Sequence, residues 1–211
     1  IGNLLSMIDP ATRQRYDYDN IERLYTEYIA DKIDDHKAIS DLKKKFEGKE
    51  IFVMVPGNSI NTYRKKIDDY IRDNKPIVIS VNFVADNLSS YAFFGNQKRY
   101  SRLKEKRKGR NIIVSSNIKT DDDNDIIINY QSVINRGYKY FENSTIMLLS
   151  LLKRINPSVI TIAGFDGFSE ESEKNYSDSS FQNERHIGEF AVLNKEISEM
   201  FKNIVEVMSP S

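Results

Sequence analysis

The sequence predicts an α/β fold: a Rossmann-like, mainly parallel sheet flanked by helices, with an N-terminal helical arm. From Glu50 onwards, short apolar runs rich in β-branched and aromatic residues alternate with longer segments of helical periodicity. Such runs are typical of strands that are buried on both faces, as the strands of parallel sheets are. Strands that alternate with helices in this way favour a doubly wound sheet with right-handed crossovers.

The start of the chain carries two helical patterns and no strand pattern. Apolar residues within 21–29 recur at helical spacing, and Asp19 can act as the N-cap of that helix. A second short helix is expected over 37–46. It is followed by Gly48, a residue suited to a helix C-cap.

We therefore divide the chain into a helical linker or docking arm, residues 1–48, and a Rossmann-like α/β domain, residues 49–211. Because the chain ends just after an expected strand, we interpret it as a piece of a longer polypeptide. The polar stretch 169–180 is the expected mobile loop. The expected strands are 51–55, 77–81, 91–94, 111–114, 126–128 (short and at an edge), 159–163 and 204–207, and the expected helices of this domain are 61–74, 145–155 and 189–202.

The composition excludes several classes of protein. With 31 basic and 31 acidic residues, the chain has no net charge to attract nucleic acid or an anionic membrane surface. The absence of cysteine excludes disulfides, thiolate zinc sites and a cysteine nucleophile. No apolar run approaches the roughly 20 residues of a membrane span. These properties predict a cytoplasmic location, with neither a membrane nor a nucleic acid as partner.

The first candidate site is the turn Pro56-Gly57-Asn58-Ser59, which follows the first expected strand. In open α/β sheets, ligands bind beyond the carboxyl ends of the strands, where the strand order reverses. Glycine lets the backbone approach a ligand closely, and the N-terminus of the following helix favours phosphate. The turn matches neither G-x-G-x-x-G nor the P-loop motif. A tight turn with a serine cap explains it equally well.

Other expected strands and one helix also border on small polar residues. Amides and hydroxyls recognise the edges of bases and the hydroxyl groups of sugars without adding charge. Each residue alone is adequately explained as part of a turn. Together they favour a pocket along one rim of the sheet. They are Asn82, Gly95-Asn96, Ser144-Thr145, and Gly164 with Asp166.

Four further features have weaker interpretations. His36 is expected to be solvated. His186 opens the last helix and is either a surface residue or an acid or base at the rim. The basic stretch 98–110 is typical of a solvated face or loop, although it could form a nucleic-acid patch or attract a phosphorylated ligand. The acidic stretch 121–125 lacks the spacing of a calcium loop and is interpreted as a turn.

The order of these motifs resembles that of bacterial sialyltransferases, which bind a CMP-sugar on a Rossmann-like sheet. The resemblance rests on Gly57-Asn58-Ser59, on 80–83, on Asn96, on 143–145 and on 162–167. The turn here has one glycine fewer than the family's, and His186 lies only near the place of the family's catalytic histidine. The resemblance implies nucleotide contacts for Gly57, Asn58, Ser59, Asn82, Asn96, Ser144, Thr145, Gly164 and Asp166.

A second resemblance covers more of the chain. The helical arm, the run K-x-I-F-V-M-V-P-G-N-S, the later V-N-F and A-G-F-D-G-F, and the closing S-P-S are similar to the C-terminal region of bacterial proteins of the 4-hydroxy-2-oxovalerate aldolase type. In those proteins a metal-dependent barrel like that of HMG-CoA lyase comes first. The resemblance implies that residues 1–48 join the domain to such a barrel. No H-x-H is present, so any divalent metal and the carbon–carbon cleavage would belong to the barrel.

The leading hypothesis is therefore the C-terminal accessory domain of an aldolase-like lyase, which binds a nucleotide, a nucleotide-sugar or another phosphorylated ligand. It assigns no catalytic residue and no cofactor to this domain, and it allows a homo-oligomer. One alternative is a sialyltransferase-like glycosyltransferase that uses a CMP-sugar. The other is a non-catalytic assembly module whose arm and sheet edge pair protomers or dock the barrel.

Overall fold

A computed structural model describes residues 25, 32–85, 88–102, 109–120, 122–170, 175–181 and 188–208. These residues form a six-stranded sheet in which every pair of neighbouring strands is parallel. Helices flank this sheet, so the predicted α/β, Rossmann-like class is confirmed. The strands are β1 (Glu50–Met54), β2 (Ile77–Val81), β3 (Tyr91–Phe94), β4 (Asn111–Ser115), β5 (Ile126–Ile128) and β6 (Val159–Ala163).

Described helices lie between β1 and β2, between β3 and β4, and between β5 and β6. The expected helix at 61–74 is observed in two parts, and Tyr25 is helical, but the rest of the first expected helix lies outside the described residues. Short 3₁₀ turns cover Tyr130–Ser132 and Ser179–Phe181. The described helices are α1 (His36–Phe46), α2 (Ser59–Thr62), α3 (Arg64–Asn74), α4 (Gln97–Ser101), α5 (Ser144–Ile155) and α6 (Phe190–Met208).

The prediction of a strand at 204–207 is wrong, because these residues form the last turns of α6. The β-branched composition of this segment favours a strand locally. The longer pattern favours a helix, since apolar side chains recur every three or four residues and face α5. Packing of that face decides the outcome. Its buried residues are Phe190, Leu193, Ile197 and Met200, and Ile204 packs against the same cluster.

The order of the strands is β5-β4-β3-β2-β1-β6. The chain builds the sheet outward from β1 to β5, returns through α5 and adds β6 on the other side of β1. Met54 of β1 lies beside Ala163 of β6. The strand order therefore reverses between β1 and β6, and the crevice at their carboxyl ends is where such sheets bind ligands. The short strand at 126–128 lies at the other edge, as expected.

Helix α5 is the centre of the core. Met147, Leu148, Leu151 and Leu152 are fully buried between the sheet and its neighbouring helices, and burial of each leucine contributes about 1.5–3 kcal/mol to folding. The helix ends at Asn156, whose left-handed φ of 61° suits a C-cap.

Helix α1 packs into the same core, although it lies in the segment interpreted as an arm. Leu42 and Phe46 are buried, and the ring of Phe46 meets Tyr91 of β3 edge-to-face with centroids 4.8 Å apart. The division of the chain at residue 48 stays a prediction.

A buried carboxylate holds the start of α1 to the rest of the fold. Asp35 is 5% exposed. It accepts a hydrogen bond from the backbone N–H of Asn129 at 2.9 Å and pairs with the guanidinium of Arg154 at 3.2 Å. The carboxylate thus joins the segment before α1 to α5 and to the turn after β5. Among the residues described, no helix combines the length and apolar character that a membrane span requires.

Candidate ligand-binding site

The carboxyl ends of β1 and β6 are joined by two glycines in close contact. The N–H of Gly57 donates to the carbonyl of Gly164 at 3.0 Å, and the N–H of Val55 donates to Ala163 at 2.8 Å. A Cβ at Gly57 would lie 2.3 Å from the carbonyl oxygen of Gly164, and a Cβ at Gly164 would lie 1.9 Å from that of Val55. The approach of the two turns therefore requires glycine at both positions, whether or not a ligand binds.

The turn after β1 is held by a carboxylate from the turn after β6. Asp166 accepts a hydrogen bond from the backbone N–H of Ser59 at 2.7 Å and a second from its hydroxyl. The serine cap that the sequence offers as one explanation of this turn is not observed. Asn58 occupies the N-cap position without a side-chain cap, and Asp166 supplies the acceptor instead. The serine hydroxyl donates to this carboxylate, which ties the turn after β1 to the turn after β6.

A cavity of about 460 Å³ lies at this edge of the sheet, between the strand ends and the N-terminus of α5. It brings together six of the nine predicted site residues. The structure does not bring Asn58, Ser59 or Asn96 into its lining. Asn96 instead caps α4 by accepting the N–H of Arg99 at 3.1 Å, and Ser59 lines a neighbouring groove with Asp166. The six that line the cavity are Gly57, Asn82, Ser144, Thr145, Gly164 and Asp166.

Asn82 follows β2 and adopts a left-handed conformation with φ of 60°. Its side-chain oxygen accepts the N–H of Gly95 at 3.2 Å, and its own N–H donates to Phe93 at 2.8 Å. These bonds fix Asn82 between the ends of β2 and β3. Its side-chain NH₂ makes no hydrogen bond within the described part of the chain, so it is available to a ligand.

The N-terminus of α5 contributes two hydroxyls. Asn143 caps this helix by accepting the N–H groups of Thr145 and Ile146 at 3.1 and 3.2 Å. Ser144 and Thr145 are only 8% and 4% exposed, and both line the cavity. Within the described ranges, neither hydroxyl has a hydrogen-bond partner. A hydroxyl can both donate and accept a hydrogen bond, so these two groups are suited to bind a polar ligand.

Aromatic rings supply the apolar part of the lining. Phe165 contacts Phe201 with ring centroids 5.8 Å apart, and Phe168 contacts Tyr176 at 6.0 Å. Burial raises the pKa of Tyr176, although the nearby Arg99 opposes this effect. The Tyr176 hydroxyl is therefore neutral near pH 7. Ring faces of this kind can stack against a flat base or the apolar face of a sugar.

Two asparagines that the sequence analysis missed hold the loop after β6. Asn194 accepts the N–H of Phe168 at 2.8 Å and donates to its carbonyl at 2.7 Å. Asn175 makes the same pair of bonds with Ser169, at 2.7 and 2.8 Å. Both residues line the cavity. A signal for Asn194 was present, because it shares helical spacing with the buried Phe190 and is an amide beside an apolar face.

Of the remaining sequence features, those that lie within the described residues do not line this cavity. His186 and residues 103–108 of the basic stretch lie outside the described residues. His36 is exposed beside Asp34. Asp122 of the acidic stretch accepts the N–H of Asn124 at 2.9 Å, as in an ordinary turn. The described residues contain no cluster of three or more histidine, aspartate or glutamate side chains that could hold a metal ion.

Comparisons with known proteins do not indicate a family for this chain. No protein-family profile matches the chain, and no curated protein or solved structure matches it either. The chemistry of the cavity is therefore the basis for a functional proposal.

Proposed function

We propose that this chain is a ligand-binding α/β domain whose cavity takes the neutral part of a nucleotide, a nucleotide-sugar or another phosphorylated ligand. The supporting observation is that Ser144, Thr145 and Asn82 line the cavity together, and that the two hydroxyls and the amide nitrogen of Asn82 have no hydrogen-bond partner among the described residues. The cavity lies where the strand order reverses, which is the usual ligand position in this class of fold.

The lining favours a neutral group with a flat face. Hydroxyls and an amide can pair with the donors and acceptors of a base or a sugar. The four rings of Phe165, Phe168, Tyr176 and Phe201 offer surfaces for stacking. Among the described lining residues, Asp166 is the single ionisable carboxylate, and no lysine, arginine or histidine is present. A charged group of the ligand is therefore expected to lie outside this cavity.

The same lining favours binding over catalysis. Asp166 already accepts two hydrogen bonds from Ser59, so its oxygens are engaged in holding the turn. A general base must reach the proton that it removes. The glycosyltransferase alternative stays a prediction. It requires transfer or hydrolysis of a CMP-sugar that is abolished by His186→Ala, and inactivity in that assay would dismiss it.

We further propose that the domain is the C-terminal accessory part of an aldolase-like lyase. This proposal rests on the resemblance of residues 1–48, the motif after β1 and the motif after β6 to such proteins. Carbon–carbon cleavage and its divalent metal are assigned to the preceding barrel. Reading the coding sequence upstream of Ile1 tests the proposal, and a sequence without a barrel would refute it. A homo-oligomer also stays a proposal, which sedimentation tests.

Calorimetric titration with CMP, UDP and CMP-sugars tests the binding proposal. Loss of one hydrogen bond from the cavity should weaken binding about fivefold to tenfold, so we expect this effect for Ser144→Ala and for Thr145→Val. Ser158→Ala is the matched control, because Ser158 is an exposed serine at the opposite, amino edge of the sheet. The Ser158→Ala variant should bind each ligand with the affinity of the unaltered chain. Absence of binding by every ligand, or equal affinities of all variants, would refute the proposal.

A further inference from the structure

A second cavity of about 340 Å³ lies at the same edge of the sheet, on the side of α2 and α3. We call it the arginine cavity, because Arg64, Arg99 and Arg102 line it. Asn82 is shared with the first cavity, and the segment 175–181 separates the two. That segment is tied to the strand ends, since the N–H of Ser177 donates to the carbonyl of Pro56 at 2.9 Å.

Arg99 forms part of the wall of the arginine cavity. Its guanidinium lies over the ring of Phe181, 4.3 Å from the centroid, and 5.4 Å from the centroid of Tyr176. One terminal nitrogen, Nη2, donates to the carbonyl of Phe181. The other, Nη1, is buried and has no acceptor among the described residues. Burial lowers the pKa of Arg99 and the charge of Arg102 acts in the same direction, whereas Tyr176 and Asp178 oppose this shift.

Among the described lining residues of this cavity, positively charged side chains outnumber negatively charged ones. Removing a guanidinium from water is unfavourable unless hydrogen bonds or an anion compensate for the lost hydration. The described part of the lining contains one carboxylate, Asp178, against three arginines. An anion in the cavity would offset the cost of burying Arg99. It would not need to contact the enclosed Nη1, because electrostatic attraction extends over several ångströms where water is scarce.

The other two arginines offer donors at the mouth of the cavity. The Nε of Arg64 donates to both carboxylate oxygens of Asp68 at 3.1 Å. Nη1 of Arg102 donates to the carbonyl of Ser180 at 2.9 Å. In the part of the chain that the structure describes, the Nη atoms of Arg64 and the Nε and Nη2 of Arg102 have no recorded acceptor. These nitrogens can form paired bonds with the oxygens of one anion.

We propose that the arginine cavity is a binding site for a phosphate or pyrophosphate group. Guanidinium groups suit phosphate because their N–H donors match the spacing of its oxygens. The amide nitrogen of Asn82 adds a neutral donor at the boundary with the first cavity. This inference does not depend on the proposed function, since Asn82 is the one described residue that lines both cavities.

Titration of the chain with inorganic phosphate and with pyrophosphate, followed by phosphorus NMR and calorimetry, tests this site. We compare Arg64→Gln and Arg102→Gln with Arg72→Gln, which removes the same charge from the far end of α3. Arg72 is exposed and pairs with Asp69 and Asp73, so it serves as a matched control. A thermal unfolding curve for each variant confirms that it is folded.

We expect saturable binding of pyrophosphate that weakens about fivefold or more in Arg64→Gln and in Arg102→Gln, because each removes charge-assisted donors. Affinity in Arg72→Gln should stay within about twofold of the unaltered chain, and added salt should weaken binding throughout. Ser144→Ala should leave pyrophosphate binding unchanged, which separates this site from the first cavity.

Three results would overturn the inference. The first is no saturable binding of either phosphate or pyrophosphate up to about 10 mM, because a dissociation constant above this value is too weak for a specific site. The second is equal weakening by Arg72→Gln, which would indicate general attraction to a basic surface. The third is malonate binding as tightly as pyrophosphate, which would show a carboxylate site instead.

Discussion

The contact between the turns after β1 and β6 predicts that Gly164→Ala is severely destabilising. Gly164 has φ of +78°, and an added Cβ would lie 1.9 Å from the carbonyl oxygen of Val55. Carbon and oxygen atoms normally approach no closer than about 3.3 Å. The two turns would therefore have to separate by more than 1 Å, on the order of the shift that breaks a hydrogen bond. The bond from Gly57 to Gly164 would be lost with it.

A second glycine separates the effect of the contact from that of the backbone conformation. Gly48 has φ of +69°, and an added Cβ there would have nothing within 4 Å. Gly48→Ala should therefore lower the free energy of unfolding by about 1–2 kcal/mol, the cost of a left-handed alanine. Gly164→Ala carries the same cost together with the overlap, and a total above about 4 kcal/mol is expected.

Urea unfolding followed by circular dichroism measures both variants against the unaltered chain. We also expect Gly57→Ala to be strongly destabilised, because its Cβ would lie 2.3 Å from the oxygen of Gly164. A Gly164→Ala chain that does not fold, beside a folded Gly48→Ala chain, agrees with the reasoning. If Gly164→Ala and Gly48→Ala lost stability to the same extent within about 0.5 kcal/mol, the close contact would be refuted.

Two further predictions concern a buried carboxylate and a buried tyrosine. Asp35→Ala leaves the N–H of Asn129 and the guanidinium of Arg154 without the acceptor that Asp35 provides. The free energy of unfolding should therefore fall by about 2–4 kcal/mol. A loss below about 1 kcal/mol in urea unfolding would contradict a stabilising role of Asp35. Because burial raises the pKa of Tyr176, the unfolded chain releases this proton near pH 10 while the folded chain keeps it. Stability should therefore decline as the pH rises above about 10, and less steeply in Tyr176→Phe. Parallel pH profiles of the two chains would be inconsistent with a buried hydroxyl.

The local sequence pattern was sufficient to predict most of the helices and strands. The apolar runs at 51–55 and 77–81 appear as the strands β1 and β2, because burial on both faces leaves a continuous hydrophobic run. The run at 159–163 also appears as a strand, β6, but it lies at the edge of the sheet and is only partly buried. The same reasoning gave a wrong prediction for the segment at 204–207. Its residues have the composition of a strand, but the face that continues from Phe190 packs against α5 and keeps them helical.

The candidate site was predicted in part. That polar residues follow parallel strands is visible in the sequence, and parallel strands bring their carboxyl ends to one edge. Six of the nine predicted residues share one cavity for this reason. Asn58, Ser59 and Asn96 do not, because a residue a few positions into a turn can point in any direction. Ser59 bonds to Asp166, and Asn96 turns back to cap α4.

The sequence by itself determined that the chain is an α/β domain with a neutral polar rim, because hydrophobic periodicity and turn chemistry are local properties. Only the tertiary structure decided which rim residues meet. Asp166 bonds to Ser59 across 107 residues, and Arg99 reaches the carbonyl of Phe181 across 82. Such pairs depend on the return of the chain through α5 and on the placement of β6 beside β1. That placement follows from the packing of the whole core, which no short stretch of sequence records.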